Sequence, residues 1–215
     1  MTTAIYTTHR NITYPIVSGY TLNPTYLASI DEVIQRALME HPRILVLRVD
    51  LHLPVIATEQ DIPWEYDTTV ISRFVDSFKA QVKADLQRKK REQGRVHHCN
   101  PRYVWVKEIN EANQPHYHVA LFLNKDTYFG LGDYRTLADN IAGKVYRAWG
   151  SALKRDPNEI MPLVHFPDTP YYHLDQNSSD WPQQYSAVFY RLSYFAKLET
   201  KVYGQMLRNF GSSRR

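Results

Sequence analysis

Two histidines, His116 and His118, stand two residues apart in the stretch from Gln114 to Asn124. Tyr117, Val119, Leu121 and Leu123 give that stretch a wholly apolar face, as expected of a β-strand with one side in a core. Side chains two apart on a strand point the same way, with Cα atoms roughly 6.5 Å apart. The two imidazoles can therefore reach one divalent cation, or form a hydrogen-bonded surface pair. Glu108 ends a second strand, Arg102 to Ile109, and the loop from Asn110 to Pro115 joins the two as an antiparallel hairpin. Glu108 and His116 both stand beside that loop, so a carboxylate and two imidazoles can converge.

Farther on, Tyr185 to Leu198 reads as a helix. At about 100° per residue, Tyr190, Tyr194, Lys197 and Lys201 fall within about 60° of one another. Val188, Leu192 and Phe195 lie opposite, as an anchoring face. An ammonium beside a phenol favours phenolate and stabilises charge developing on a phosphate. The same pattern also suits an amphipathic helix whose tyrosines and lysines line the surface.

These groups need a frame. Arg43 to Pro54 alternates as a strand with Leu45, Leu47, Val49, Leu51 and Leu53 on one face. Arg48, Asp50 and His52 share the end of the other. If this strand lies beside the histidine strand, Asp50 and His52 sit near the same site, where they would support its ligands from behind; otherwise they mark a strand end entering solvent. Asn23-Pro24 opens a helix that His41-Pro42 closes. Residues 55–67, with Pro63 and Trp64, read as a polar loop. A long helix from about Thr69 ends in Arg88-Lys89-Lys90-Arg91 before Gly94. Those four cations fit a phosphate backbone, or a charged helix terminus favoured by its dipole. His97-His98-Cys99 is not expected to bind metal: neighbouring side chains point apart, and no second Cys or His pair completes a tetrahedral set.

A helix is expected over Tyr134 to Lys154, a strand over Met161 to Phe166, a loop over 167–180 and a last helix from Trp181 to about Val202. This order predicts an α+β fold with an antiparallel sheet in one domain. Residues 1–22 form an N-terminal extension, 23–207 the domain and 208–215 a flexible Gly-Ser-Arg tail.

The chain of 215 residues carries a formal charge of +4 and sixteen tyrosines. Basic groups with aromatics suit single-stranded nucleic acid, although aromatics are also core material. One cysteine, Cys99, excludes an internal disulfide framework and fits a reducing compartment. With no apolar leader and no run of transmembrane length, the sequence reads as a soluble cytoplasmic protein.

Glu108, His116-Tyr117-His118 and Tyr194-Phe195-Ala196-Lys197 together resemble the motifs of the HUH endonucleases, the single-strand nicking enzymes of rolling-circle replication and conjugation. The wording of QPHYHVALFLNKD, RVDL and RLSYFAKLETK is most similar to the inovirus-type replication proteins of filamentous phages and prophages, over about residues 43 to 203. The resemblance implies an RRM-like palm with the histidines on a central strand. It implies metal binding by Glu108, His116 and His118, with Mg²⁺ or Mn²⁺ as the ion. It also implies attack by Tyr194 on a DNA phosphate to give a 5′-phosphotyrosine, with Lys197 assisting and Tyr190 as a permitted second tyrosine. Single-stranded or origin DNA in a bacterial cell would be the substrate. The sequence departs from larger relatives in having no helicase region, so unwinding would need a host helicase. The alternatives are a non-catalytic, prophage-encoded DNA-binding regulator on the same scaffold, or a relaxase or transposase with the same chemistry.

Overall fold

The computed structural model describes residues 5–9, 12–54, 69–110, 114–201 and 208–214. In chain order the elements are β1 (Ile5–His9), β2 (Ile12–Ile16), α1 (Pro24–Glu40), β3 (Arg43–His52), α2 (Val70–Gln93), β4 (Arg102–Ile109), β5 (Pro115–Asn124), α3 (Ile141–Leu153), α4 (Pro157–Ile160), β6 (Val164–His165), β7 (Tyr171–Asp175), α5 (Trp181–Ser193) and β8 (Phe210–Ser212). β1 and β2 make a separate hairpin. The other six strands form an antiparallel sheet in the order β6-β3-β5-β4-β8, with β7 on the same edge of β3 as β6. The fold is α+β, as expected.

Strand alternation builds two cores. Leu45, Leu47, Val49 and Leu51 of β3 and Tyr117, Val119 and Leu121 of β5 meet α2 and α3 on one face. Ile44 and Val46 of β3, Val104 and Val106 of β4, and Ala120 and Phe122 of β5 meet α1 and α5 on the other. Arg48, Asp50 and His52 continue that second face of β3 beyond the cover of Ile44 and Val46. One half of the face is therefore dry core, and the other supplies polar groups.

The helix caps follow the sequence where short polar residues compete for backbone donors. Asn23 accepts from the amides of Thr25 and Tyr26 at the start of α1. Asn140 does the same for α3 by accepting from Gly143, which is why α3 starts at Ile141 and not near Tyr134. Its ladder closes tightly there: a Cβ on Gly143 would lie 1.9 Å from the Ala138 carbonyl oxygen. Gly143→Ala is expected to cost about 1–3 kcal/mol of stability, read in a thermal melt.

Three further expectations change. The loop over 167–180 contains β7, whose Leu174 is fully buried. The last α-helix stops at Ser193 and passes into a single 3₁₀ turn, Tyr194–Ala196. The carboxy-terminal segment is not loose over 210–212: β8 pairs with β4. Gly211 permits this because a Cβ there would lie 2.4 Å from the Trp105 ring, and Phe210 stacks on Tyr26 with ring centroids 4.3 Å apart. Composition signalled disorder, but one aromatic and one glycine anchor the strand. The expected loop around Pro63 and Trp64 lies outside the described residues. No helix among the described residues is long and apolar enough to cross a membrane.

Candidate metal and nucleophile site

Sheet register gathers the polar ends of three strands. Glu108 of β4 lies opposite His116, and on the other side of β5 His52 faces His116 while Asp50 faces His118. One ligand atom from each of Glu108, His116 and His118 lies within 4.8 Å of the others. The two Nε2 atoms are 3.3 Å apart, and His118 Nε2 is 3.6 Å from Glu108 Oε2. Donors held at about 2.0–2.2 Å around one ion are separated by roughly 3–3.5 Å, so the three groups fit a shared cation.

Asp50 completes the ligand geometry. Its Oδ1 lies 2.6 Å from His118 Nδ1, which directs the opposite ring nitrogen toward the cluster. His165 of β6 approaches the other oxygen of Asp50 at 3.6 Å. Arg48 Nε lies 3.5 Å from Asp50 Oδ1. His52 stacks on His116 with centroids 5.5 Å apart. Asp50 and His52 thus border the site, which settles the choice left open in the sequence.

Electrostatics divides the histidines. Burial and the nearby His118 charge push the His116 pKa down to about 4, so its imidazole is neutral at pH 7. Burial would also lower His118, but its bonds to Asp50 and Glu108 outweigh this and raise it. Burial opposes ionisation of Asp50, yet the His118 bond holds its carboxyl at about 2. Glu108 stays ionised for similar reasons, with His118 and Lys201 overcoming burial.

The phenol arrives from α5. Val188, Phe189, Leu192 and Phe195 anchor this helix in the second core. After the 3₁₀ turn Lys197 becomes extended and bridges to Leu22, while Asn23 N donates to Ala196 O at 2.8 Å. This departure from helical geometry turns Lys197 and Lys201 inward. Lys197 Nζ donates to the Tyr194 hydroxyl at 2.6 Å and lies 3.1 Å from Glu108 Oε2. Lys201 Nζ reaches the second Glu108 oxygen at 3.2 Å. Two hydrogen-bond lengths therefore separate the phenol oxygen from the carboxylate. Although burial opposes it, the bonds to Tyr194 and Glu108 raise the Lys197 pKa and keep it an ammonium.

Tyr190 does not join them. It stays on the outer side of α5, 46% exposed, and none of the described site contacts involves its ring. The helix ends before the shared face predicted for Tyr190 and Tyr194 can bring both to the cluster. Sequence reasoning also passed over Tyr20, whose ring meets Tyr194 edge-on at 5.5 Å. Nothing in its local sequence signals that role. Arg48, 5.6 Å from the Tyr194 ring centroid, was legible only as a polar residue on the correct face.

The Arg88-Lys89-Lys90-Arg91 run lies elsewhere, on α2 and so on the opposite face of the sheet. Arg88 pairs with Asp85 at 2.6 Å and Asp139 at 2.8 Å, and Lys89 pairs with Asp85 at 3.1 Å. These two cations are already engaged. Lys90 instead lines a groove of about 700 Å³ with Lys79, Lys83 and Arg95, floored by Leu86, Val96 and Pro101. Arg91 faces the other side of the helix.

Comparison with known proteins places this chain in a family. Two relatives from Escherichia coli strain K12 match closely. The uncharacterized protein YagK is 41% identical over 192 residues, 87% of this chain and 91% of YagK. The uncharacterized protein YfjJ is 34% identical over 194 residues, 88% of this chain and 93% of YfjJ. No solved structure matches. The family described as the YagK/YfjJ C-terminal domain matches residues 6–213, so β2 through β8 and the Glu108–His116–His118–Tyr194 cluster all fall within it, and the chain belongs to that family.

Proposed function

We propose that this protein is a metal-dependent, single-strand DNA nicking and joining enzyme of the HUH type, acting in rolling-circle replication of the inovirus kind. The observation that carries the reading is the short path from the Tyr194 hydroxyl through Lys197 to Glu108, beside two imidazoles aimed at one point. Glu108, His116 and His118 would hold Mg²⁺ or Mn²⁺, which supplies Lewis-acid polarisation of the scissile phosphate when bound.

The residues themselves do the rest. Tyr194 attacks phosphorus, its Oη–P bond forms as the P–O3′ bond breaks, and the departing 3′ oxygen takes a proton from solvent. Lys197 already donates to the phenol oxygen, so the tyrosine proton leaves toward water while the ammonium stabilises the phenolate. The 5′-phosphotyrosine retains the phosphodiester's energy, and a 3′-hydroxyl can reverse the step. Arg48, near the Tyr194 ring and Asp50, adds positive charge where a phosphate would dock.

The test is incubation with origin-bearing single-stranded DNA and Mn²⁺, followed by a denaturing gel. A covalent protein–DNA adduct is expected, and EDTA added beforehand should prevent its formation while leaving DNA binding intact. The ion pairs from Lys197 and Lys201 to Glu108 favour a second reading, a DNA-binding regulator without cleavage. Binding with no adduct under any divalent metal would select it.

A polyanionic partner also suits the groove lined by Lys79, Lys83, Lys90 and Arg95. Lys83→Gln combined with Lys90→Gln is expected to weaken single-stranded DNA binding. The slope of log affinity against log salt should become shallower by about 0.7 per cation lost, measured by fluorescence anisotropy.

A further inference from the structure

At the other end of the sheet, α1 hands over to β3 through Glu40 and His41, and the segment after α2 approaches β4 through His98. One ligand atom from each of these residues lies within 4.8 Å of the others. We propose that Glu40, His41 and His98 form a second metal site, for a zinc-type ion, distinct from the Glu108–His116–His118 cluster.

Three observations carry it. His41 is 8% exposed, and its Nε2 is buried with no hydrogen-bond partner among the described residues. An orphaned buried nitrogen costs about 1–3 kcal/mol, a penalty that coordination would remove. Its backbone is held in place, because the His41 amide caps α1 by donating to Ala37 O at 2.9 Å. Second, Glu40 Oε1 lies 3.8 Å from that nitrogen and 3.7 Å from His98 Nδ1. Tetrahedral ligands at about 2.0–2.1 Å stand roughly 3.3–3.4 Å apart, so these two separations need to contract by only a few tenths of an ångström, and the two imidazoles, within 4.8 Å of each other, close around the same point. The His98 side chain, 73% exposed, can supply that movement. Third, Glu40 Oε2 is held by Arg102 Nη2 at 3.0 Å, which orients the carboxylate and leaves Oε1 for the ion.

Two imidazoles and one carboxylate match a borderline-soft ion such as Zn²⁺ better than the all-oxygen preference of Ca²⁺. Water would complete the tetrahedron. Cys99 is not a ligand here, since its buried sulfur accepts from Asn124 N at 3.3 Å. The sequence rejected His97-His98-Cys99 for want of partners, and the fold provides them from the end of α1. A bound ion would tie α1 to the segment that walls the lysine groove.

The experiment is zinc content by mass spectrometry on untagged, chelator-stripped protein dialysed against Zn²⁺. Wild type, His98→Ala, His116→Ala/His118→Ala and the triple variant are compared. His98→Ala should lose one equivalent per chain in either background, and in the His116→Ala/His118→Ala background it should also abolish the zinc-induced rise in Tm. Equal zinc content with and without His98 overturns the site. Because the double variant reports on the first cluster separately, failure there leaves this result readable.

Discussion

Tyr194→Phe is expected to abolish the covalent protein–DNA adduct, whereas Tyr190→Phe should retain it at near wild-type yield. The substitution removes one oxygen from a half-buried ring that keeps its contacts with His118 and Tyr20, so folding should survive. What disappears is the atom that Lys197 contacts at 2.6 Å, and no other hydroxyl occupies that position among the described residues. Tyr190 lies outside the cluster and 46% exposed, so it would need a rearrangement of the end of α5 to reach the same phosphate. Lys197→Met should fall between the two. Loss of one charged donor aimed at a developing anion typically costs 10²–10³ in rate, so slow adduct formation should remain on a denaturing gel. An adduct in Tyr194→Phe that vanishes in Tyr190→Phe would reassign the nucleophile.

The sequence revealed the strands better than the helix ends, for a physical reason. β3, β4 and β5 are long, and the short connection between β4 and β5 fixes their pairing, so Glu108, His116 and His118 could be brought together from the sequence, whereas Asp50 depended on β3 lying beside β5. The end of α5 could not be read in the same way. Tyr194 to Lys201 keeps helical spacing, yet tertiary bonds from Thr21, Leu22 and Asn23 capture the backbone after Ala196. That capture, invisible to periodicity, sends Lys197 and Lys201 to Glu108 and leaves Tyr190 behind. The Arg88–Arg91 run, which in sequence suited either a phosphate backbone or a helix terminus, is divided for a related reason. Local charge density suggested a phosphate contact, but Asp85 and Asp139 approach from within α2 and from before α3. The Glu40–His41–His98 cluster showed in sequence only as His98 without partners, because its parts come from separate connections that only the fold brings together.

His116→Ala and Glu108→Gln should both lose Mn²⁺-dependent cleavage, by at least about 10²-fold, but only the second should lose substantial stability. Each removes one of three donors, and three-donor sites tolerate such loss poorly. Their surroundings differ, however. His116 is neutral at pH 7 and only half-buried, so its removal strands no charge. Glu108 is 2% exposed and is the carboxylate partner of Lys197 and Lys201, themselves 4% and 7% exposed. Deleting one member of a buried ionic group leaves uncompensated charge, a cost of about 3–5 kcal/mol. Chemical denaturation of the metal-free proteins separates the two effects: Glu108→Gln should shift to lower denaturant, whereas His116→Ala should stay near wild type. Equal stability in both variants would mean that the lysines find other partners, and Glu108 would then be a ligand only. The predicted contrast assigns it two roles, metal ligand and counter-ion to the lysines that steer the phenol. On the proposed function, an arriving cation would compete with Lys197 and Lys201 for the carboxylate, which would couple metal binding to the position of Lys197 against Tyr194 through a single side chain.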